Sequence, residues 1–167
     1  MILYHGTNCS IDKIDLNKCR PYKDFGKGFY LTTIKEQAEK MALRVSRIYG
    51  GSPIVNTFIY DTNADIANVN INIKSFTAPS EEWARFVINN RNGVNSEEDN
   101  NSDNKYDIVI GPVANDDLAL LFRQFSNGMI EIDTLIREMK YKKLTDQYSF
   151  HTERALKYLT KESEYNV

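Results

Sequence analysis

Short strand-type segments alternate with helix-type segments along this chain, and that alternation restricts the fold more than any other feature. β-Branched and aromatic residues predict strands, whereas apolar residues at helical spacing predict helices. The predicted strands are 2–5, 28–32, 54–60, 69–73, 107–111 and 148–150. The predicted helices are one capped by Thr33 and ended by Gly50, one from Pro79 to Asn90, and three at 117–125, 132–141 and 152–159.

The glycines of the chain argue against the common nucleotide-binding folds. The stretch FGKGF has too few glycines, at the wrong spacing, for a dinucleotide fingerprint or a P-loop. A mixed α+β domain therefore fits better than a doubly wound parallel sheet. At 167 residues the chain is predicted to form a single domain, residues 1–167. Its Asn-rich segment, 89–105, is predicted to be a flexible solvated loop, either a tolerated surface insertion or a loop that contacts substrate.

Composition excludes several classes of function. The net charge of −2 gives no electrostatic footprint for nucleic acid or an anionic membrane. A local basic groove stays open, because Arg20, Lys23 and Lys27 cluster early in the chain. No apolar run approaches the ~20 residues of a membrane span, and no secretory signal is recognisable. We therefore expect a cytoplasmic protein with no membrane partner.

The cysteines and histidines do not indicate a metal site. Cys9 and Cys19 are predicted to be free thiols in a chain without a signal sequence. With His5 and His151 they would supply four ligands, but their spacing matches no compact zinc pattern. We expect no metal.

Two short stretches carry the candidate chemistry. In LYHGTN, His5 lies at a strand end before Gly6 and Thr7. In FGKGFYLTT, two glycines allow the backbone to approach a ligand closely and lead into Tyr30. Taken separately, His5 would be a structural histidine and Tyr30 a core tyrosine. Taken together, they favour a shared binding pocket.

These stretches resemble the ADP-ribosyltransferase superfamily, in the branch with a His–Tyr–Glu triad that includes diphtheria-type toxins and poly-ADP-ribose polymerases. GKGFY is especially close to the Gly-Lys-Gly-Ile-Tyr stretch of the polymerases. The chain is also similar to small bacterial proteins of this superfamily, which combine the two stretches with segments like DIVIGPVAND and QYSFHTERALKYL. Many of those proteins are encoded beside small antitoxin-like partners.

The resemblance implies two small, split antiparallel sheets with NAD bound in the cleft between them. His5 would bind a ribose hydroxyl, the backbone of Gly6 would meet the nicotinamide carboxamide, and Tyr30 would stack on the nicotinamide ring. Thr7, Gly28 and Phe29 would line the same NAD site. The third triad position falls at the start of the last predicted strand, on Gln147.

Two positions depart from the family pattern. Gln147 replaces a glutamate, and an amide can orient a ribose hydroxyl but brings no negative charge to the oxocarbenium-like centre. Asp146 and Glu153 are the candidates to supply that charge. Met41 replaces the second tyrosine of the aromatic clamp. It could contact the nicotinamide through sulfur, but it also fits the apolar stripe of its helix, and we predict that it packs into the core.

The resemblance therefore implies a mono-ADP-ribosyltransferase that uses NAD as substrate and modifies a protein or nucleic-acid acceptor. Its setting would be that of a bacterial toxin or defence effector, restrained by a small antitoxin-like protein. An NAD glycohydrolase, or a non-catalytic module that binds NAD or a partner, is the alternative.

Four other residue groups have simpler interpretations. Trp83 is predicted to be core, His151 to be structural or on the surface, and Asp116–Asp117 to cap a helix. Arg20 is either a pyrophosphate ligand or a solvated loop residue.

Overall fold

In the computed structural model, which describes residues 1–63, 71–93, 99–140 and 144–167, the chain forms seven strands in two sheets. The strands are β1 (Ile2–Thr7), β2 (Phe29–Leu31), β3 (Ile54–Tyr60), β4 (Ile73–Ser75), β5 (Ile108–Pro112), β6 (Asp146–Phe150) and β7 (Leu159–Asn166). The helices are α1 (Lys35–Tyr49), α2 (Glu81–Asn92), α3 (Asp116–Ser126), α4 (Ile132–Met139) and α5 (Glu153–Leu156), with a 3-10 turn at Leu16–Lys18. The prediction of an α+β fold is confirmed.

The strands divide into a three-stranded and a four-stranded sheet. The first has the order β1-β3-β7 and is antiparallel throughout. The second has the order β2-β6-β5-β4, and its β4–β5 pair is parallel rather than antiparallel as predicted. The difference arises because α2 lies between β4 and β5 in the chain, and a helical crossover returns the second strand in the same direction.

The two sheets enclose an apolar layer and meet at one backbone bridge. Leu3, Phe58, Ile108 and Phe150 are buried in this layer. Tyr4 and Thr32 exchange backbone hydrogen bonds of 2.8 and 3.0 Å, which join β1 to the residue after β2. A second core lies beneath α2, α3 and α4, and it buries Phe25, Phe86, Leu118 and Leu135. Trp83 is also fully buried there, which confirms that prediction.

Helix α1 begins differently from the prediction. Its N-cap residue is Ile34, which makes no side-chain capping bond. The Thr33 hydroxyl instead donates to the carboxylate of Asp146, so a contact with β6 replaces the expected capping box. Helix α3 is capped by Asn115, whose side chain accepts from Leu118 N, rather than by the two aspartates that follow it.

The C-terminal segment differs from the prediction of one helix over 152–159. Helix α5 ends at Leu156 rather than 159, and residues from Leu159 onward form β7. The segment LTKESEYN is polar and lacks a clear apolar alternation. It becomes a strand because β3 offers it a complete antiparallel edge, from Ile54–Asn166 to Tyr60–Leu159.

The prediction of a solvated Asn-rich loop is wrong for three of its asparagines. Asn90 lies in α2, and Asn90, Asn100 and Asn101 are all buried. The Asn90 side chain accepts from Asn101 N at 2.9 Å, and the Asn101 side chain bonds both backbone groups of Tyr106. Part of the predicted loop, 94–98, and part of the predicted strand 69–73 lie outside the described residues. Among the helices of the described ranges, none is long and apolar enough to cross a membrane.

Candidate functional site

The backbone of Gly6 faces the gap where the two sheets separate. Hydrogen bonds in β1 alternate, and Tyr4 directs its N–H and C=O toward Thr32 and away from β3. Gly6 lies two residues further and therefore points the same way. By this alternation Gly6 makes no backbone bond to Val55 opposite it on β3, and in the described part of the chain neither its N–H nor its C=O has a partner outside the strand ladder, although Gly6 is buried. Unpaired buried backbone groups are rare in proteins, which makes this edge a candidate ligand contact.

The imidazole of His5 occupies the start of this gap. Its Nδ1 lies 2.7 Å from the carbonyl oxygen of Tyr30, and its ring stacks on Phe29 with centroids 4.4 Å apart. Burial lowers the pKa of His5, while the bond to Tyr30 opposes that shift. A carbonyl only accepts, so the neutral ring must carry its proton on Nδ1. This leaves Nε2 as an acceptor with no partner among the described residues.

Tyr30 is half-buried and anchors the turn that precedes β2. Its hydroxyl donates to Gly26 O at 2.7 Å and accepts from Phe25 N at 3.0 Å. Burial, and next the negative charge of Asp24, raise the pKa of Tyr30 well above its ordinary value, so the phenol remains protonated. Its ring lies beside Phe25, at 6.5 Å between centroids, and the edge of His151, at 6.3 Å.

Gln147 lies on the same face of the four-stranded sheet as Tyr30. Tyr30 pairs with Ser149, and Gln147 is two residues from Ser149 along β6. The Gln147 side chain is buried and donates from Nε2 to the carboxylate of Asp24 at 2.8 Å and to Pro112 O at 3.1 Å. The turn at 24–26 thus connects Tyr30 to Gln147, and Tyr30 in turn contacts His5. The three residues share one chain of contacts, in which Tyr30 touches His5 through its backbone carbonyl and reaches Gln147 only through the turn at 24–26.

The other predicted site residues are divided between the core and the surface. Phe29 is 5% exposed and belongs to the layer between the sheets. A Cβ at Gly28 would lie 2.6 Å from His151 Nδ1, so Gly28 packs against that ring. Thr7 lies at the end of β1, where its hydroxyl is 3.5 Å from Asn8 Oδ1. Met41 is 45% exposed on α1, so the prediction that it packs into the core is wrong.

The two expected sources of negative charge lie elsewhere or are already engaged. The Asp146 carboxylate accepts from Thr32 and Thr33 at the start of α1, with a Thr32 Oγ1 distance of 2.6 Å. Glu153 is exposed in the first turn of α5. The carboxylate that actually contacts Gln147 is that of Asp24, in a polar stretch where the sequence offered no signal for it.

Asn56 is a second residue that sequence analysis did not find. It lies on β3 directly opposite His5, so their side chains share one face of the three-stranded sheet. Its Oδ1 accepts from Ile11 N at 3.2 Å, which fixes the orientation of the amide. Asn56 is fully buried, and its Nδ2 has no partner among the described residues. An asparagine within the strand-type segment IVNTFIY is the sequence signal that could have marked it.

The remaining histidine, the cysteines and Arg20 have structural or surface positions. His151 is buried, with Nδ1 2.8 Å from Lys27 O and Nε2 2.8 Å from Ser149 Oγ, which confirms the structural interpretation. Arg20 donates to the Tyr49 hydroxyl at 2.8 Å. Cys9 and Cys19 are free thiols, as predicted. Within the described residues, no group of three or more His, Cys, Asp or Glu side chains could hold a metal ion.

A shallow pocket of about 290 Å³ lies near Gln147, at the ends of β5 and β6. Gly111, Pro112, Thr145 and Asp146 line it on one side, and residues 76–79 line it on the other. None of the predicted NAD-binding residues lines this pocket. It borders the third triad position rather than the gap at Gly6.

Comparison with known proteins identifies a family. The family model described as "Protein of unknown function (DUF3990)" matches residues 1–160, and the chain therefore belongs to this family. No curated protein and no solved structure matches the chain. Since the family description assigns no activity, function must be argued from the geometry of the site.

Proposed function

We propose that this protein is a mono-ADP-ribosyltransferase that transfers ADP-ribose from NAD to a protein or nucleic-acid acceptor. The observation that carries the proposal is the gap between β1 and β2, where the unpaired N–H and C=O of Gly6 face the strand of Tyr30 beside His5. A carboxamide carries a donor NH₂ group and an acceptor oxygen on the same carbon. The nicotinamide carboxamide would therefore satisfy both groups of Gly6 at once.

The tautomer of His5 suits a ribose hydroxyl. Nδ1 is engaged with Tyr30 O, so Nε2 presents a lone pair. A ribose hydroxyl can donate to that lone pair. Because burial keeps the ring neutral, this interaction does not require the pH to be high. Thr7 and the exposed Met41 would complete the NAD site, whereas Phe29 would support it from the core by stacking on the His5 ring.

In the proposed reaction the bond between ribose C1′ and the nicotinamide nitrogen breaks. Nicotinamide leaves with the bonding electron pair as a neutral base, so no strong general acid is needed. The acceptor nucleophile forms a new bond to C1′ and loses its proton to solvent. Gln147 would orient the ribose through its amide oxygen and help to align C1′ with the acceptor.

The biological setting that we propose is cytoplasmic, as a bacterial toxin or defence effector restrained by a small antitoxin-like protein. This part rests on the sequence resemblance. It is tested by co-expression of the protein with the product of a small neighbouring gene, which should suppress toxicity and NAD consumption together.

Incubation with NAD labelled in its adenylate portion tests the proposed activity. Release of nicotinamide together with label on a macromolecule supports transfer. Release of nicotinamide with free ADP-ribose supports the alternative, an NAD glycohydrolase. Binding of NAD without release of nicotinamide would indicate a non-catalytic module. The amide at position 147 is the observation that favours this alternative. Absence of both binding and release would refute the proposal.

Variants of His5 and Tyr30 test the site with matched controls. In His5→Asn the new amide can still donate to Tyr30 O but lacks an acceptor at the Nε2 position, so NAD affinity should fall roughly tenfold, equivalent to about 1.4 kcal/mol. Tyr30→Phe keeps the ring for stacking and should bind more tightly than Tyr30→Leu. Tyr22→Ala is the control, because Tyr22 is 63% exposed. Isothermal titration with NAD measures all four variants, and equal affinities would contradict the assignment.

A further inference from the structure

The carboxylate of Asp24 is a buried hub that accepts four hydrogen bonds. Its Oδ1 accepts from Arg91 Nε at 2.9 Å and from Arg91 Nη2 at 2.7 Å. Its Oδ2 accepts from Ala114 N at 2.9 Å and from Gln147 Nε2 at 2.8 Å. Asp24 is 8% exposed, so its charge is compensated by these donors rather than by solvent.

This hub fixes the orientation of the Gln147 amide. The two neighbours of Nε2, the Asp24 carboxylate and Pro112 O, can only accept hydrogen bonds. Both amide hydrogens are therefore directed at them, and a flipped amide would place an oxygen against two acceptors. As a result, Oε1 points away from the hub, and it has no partner among the described residues.

The hub is itself held from four sides. Arg91 projects from the last turn of α2 and also donates to Ala114 O at 2.7 Å. Ala114 follows β5, and Gln147 lies on β6. On the fourth side, the Tyr30 hydroxyl bonds the backbone of residues 25 and 26, next to Asp24. A carboxylate held in this way can help keep a side chain within the ~0.5 Å that a functional site requires.

We infer that Asp24 is a positioning residue, which directs Oε1 of Gln147 toward the substrate and requires an amide at position 147. A glutamate at 147 would set a second carboxylate against the Asp24 carboxylate and Pro112 O, and like charges at this distance repel strongly. The amide at position 147, where the family pattern has a glutamate, is thus explained by the negative charge of Asp24 in the turn before β2. The inference rests on the proposed function, because Gln147 acts on NAD only if NAD binds there.

A double-mutant cycle on NAD turnover tests this role. Asp24→Asn should lower kcat between roughly tenfold and a hundredfold, with KM changed less than about threefold, because the amide loses its alignment but the NAD contacts remain. In a Gln147→Ala background, Asp24→Asn should have no further effect on kcat. Multiplicative losses in the double variant would overturn the inference, as would an unchanged kcat in Asp24→Asn.

Gln147→Glu provides a second test that leaves Asp24 itself unchanged. At pH 8 this variant should turn over NAD more slowly than wild type and unfold at a lower temperature. At pH 5.5 the glutamate can take up a proton and donate to Asp24 as the amide does, so part of the turnover should return. A Gln147→Glu variant faster than wild type at pH 8 would overturn the inference. If the wild-type protein neither binds nor consumes NAD, the proposed function fails together with this inference. If the wild type is active but the double-mutant cycle or Gln147→Glu gives the contrary result, only the role of Asp24 is refuted.

Discussion

Gly6 sets the distance between α1 and the three-stranded sheet. A Cβ at this position would lie 1.9 Å from Ala38 O and 2.8 Å from Ala42 N, both backbone atoms of α1. Neither atom can move without displacing the helix. The absence of a side chain therefore lets the helix approach β1 closely and, in the proposed function, keeps the Gly6 backbone edge open to a ligand.

We expect Gly6→Ala to destabilise the fold by about 3 kcal/mol, because an added methyl group in a tightly packed contact forces backbone shifts. Gly50→Ala is the matched control, since its Cβ would meet nothing within 4 Å and only its φ of +76° is unfavourable. That control should lose about 1 kcal/mol. Urea denaturation measures both variants, and a Gly6→Ala loss no larger than that of the control would contradict this explanation.

His151 should make stability depend on pH. Burial lowers the pKa of His151 from 6.5 to about 4, whereas the unfolded chain keeps the ordinary value. The unfolded state therefore binds more protons between these values, and stability is lost as pH falls from 6.5 toward 4. The loss attributable to this residue is roughly 3 kcal/mol over the whole window. In urea denaturation, the free energy of unfolding of His151→Gln should fall less between pH 7 and pH 5 than that of wild type. Parallel curves for variant and wild type would contradict this explanation.

At the scale of single elements, α2 starts at a conventional cap. The Ser80 hydroxyl accepts from Trp83 N at 3.1 Å, and two glutamates follow in the first turn. The sequence Pro-Ser-Glu-Glu was sufficient to predict this start. The helix matters for the site because its last turn carries Arg91, which reaches Asp24.

Ser80→Ala should lower the free energy of unfolding by about 1 kcal/mol, because the N–H of Trp83 loses its partner. Ser80→Asp keeps an acceptor and adds a negative charge at the helix N-terminus, so its stability should stay close to that of wild type. Thermal unfolding measured by circular dichroism distinguishes the two variants. Equal losses would show that the hydroxyl does not cap the helix.

At the scale of the whole molecule, Asp107 connects three parts of the chain that are distant in sequence. Its fully buried side chain accepts from Arg154 Nε and Thr152 Oγ1, each at 2.5 Å, and from Asn72 N at 2.8 Å. Burial alone would raise the pKa of Asp107, but these donors outweigh it and lower the pKa. Asp107 thus fixes the start of β5 to the segment before β4 and to the helix that leads into β7.

Asp107→Ala should lower the free energy of unfolding by roughly 2 to 3 kcal/mol, because Thr152 and the N–H of Asn72 lose their acceptor. Arg154→Ala should cost clearly less, because the Arg154 side chain is 56% exposed and solvent screens its charge. Because the pKa of Asp107 is lowered in the folded state, the difference between the variants should persist above the ordinary value of 3.8 and shrink only as the pH falls below it. A larger loss in Arg154→Ala would contradict the central role of Asp107.

Local pattern accounts for much of the architecture. The alternation of strand and helix signals, the absence of a dinucleotide fingerprint and the Pro-Ser-Glu-Glu helix start depend on residues within a few positions of each other. Local conformational preferences of this kind agree with the final fold, so β3, α2 and the α+β class were predictable. The stretches around His5 and Tyr30 were also visible, because each combines glycines with one reactive side chain.

The tertiary structure decided those features that depend on contacts between residues distant in the sequence. β7 is a strand because β3 lacks a partner on that edge, and Asn90 and Asn101 are buried because they bond each other across a gap in sequence. Most of all, the pairing of Asp24 with Gln147 spans 123 residues. A hydrogen bond between side chains so far apart leaves no periodic trace in the sequence, since it depends on the positions of two whole elements. The sequence by itself therefore determined which chemical groups were available, and the fold determined which of them meet.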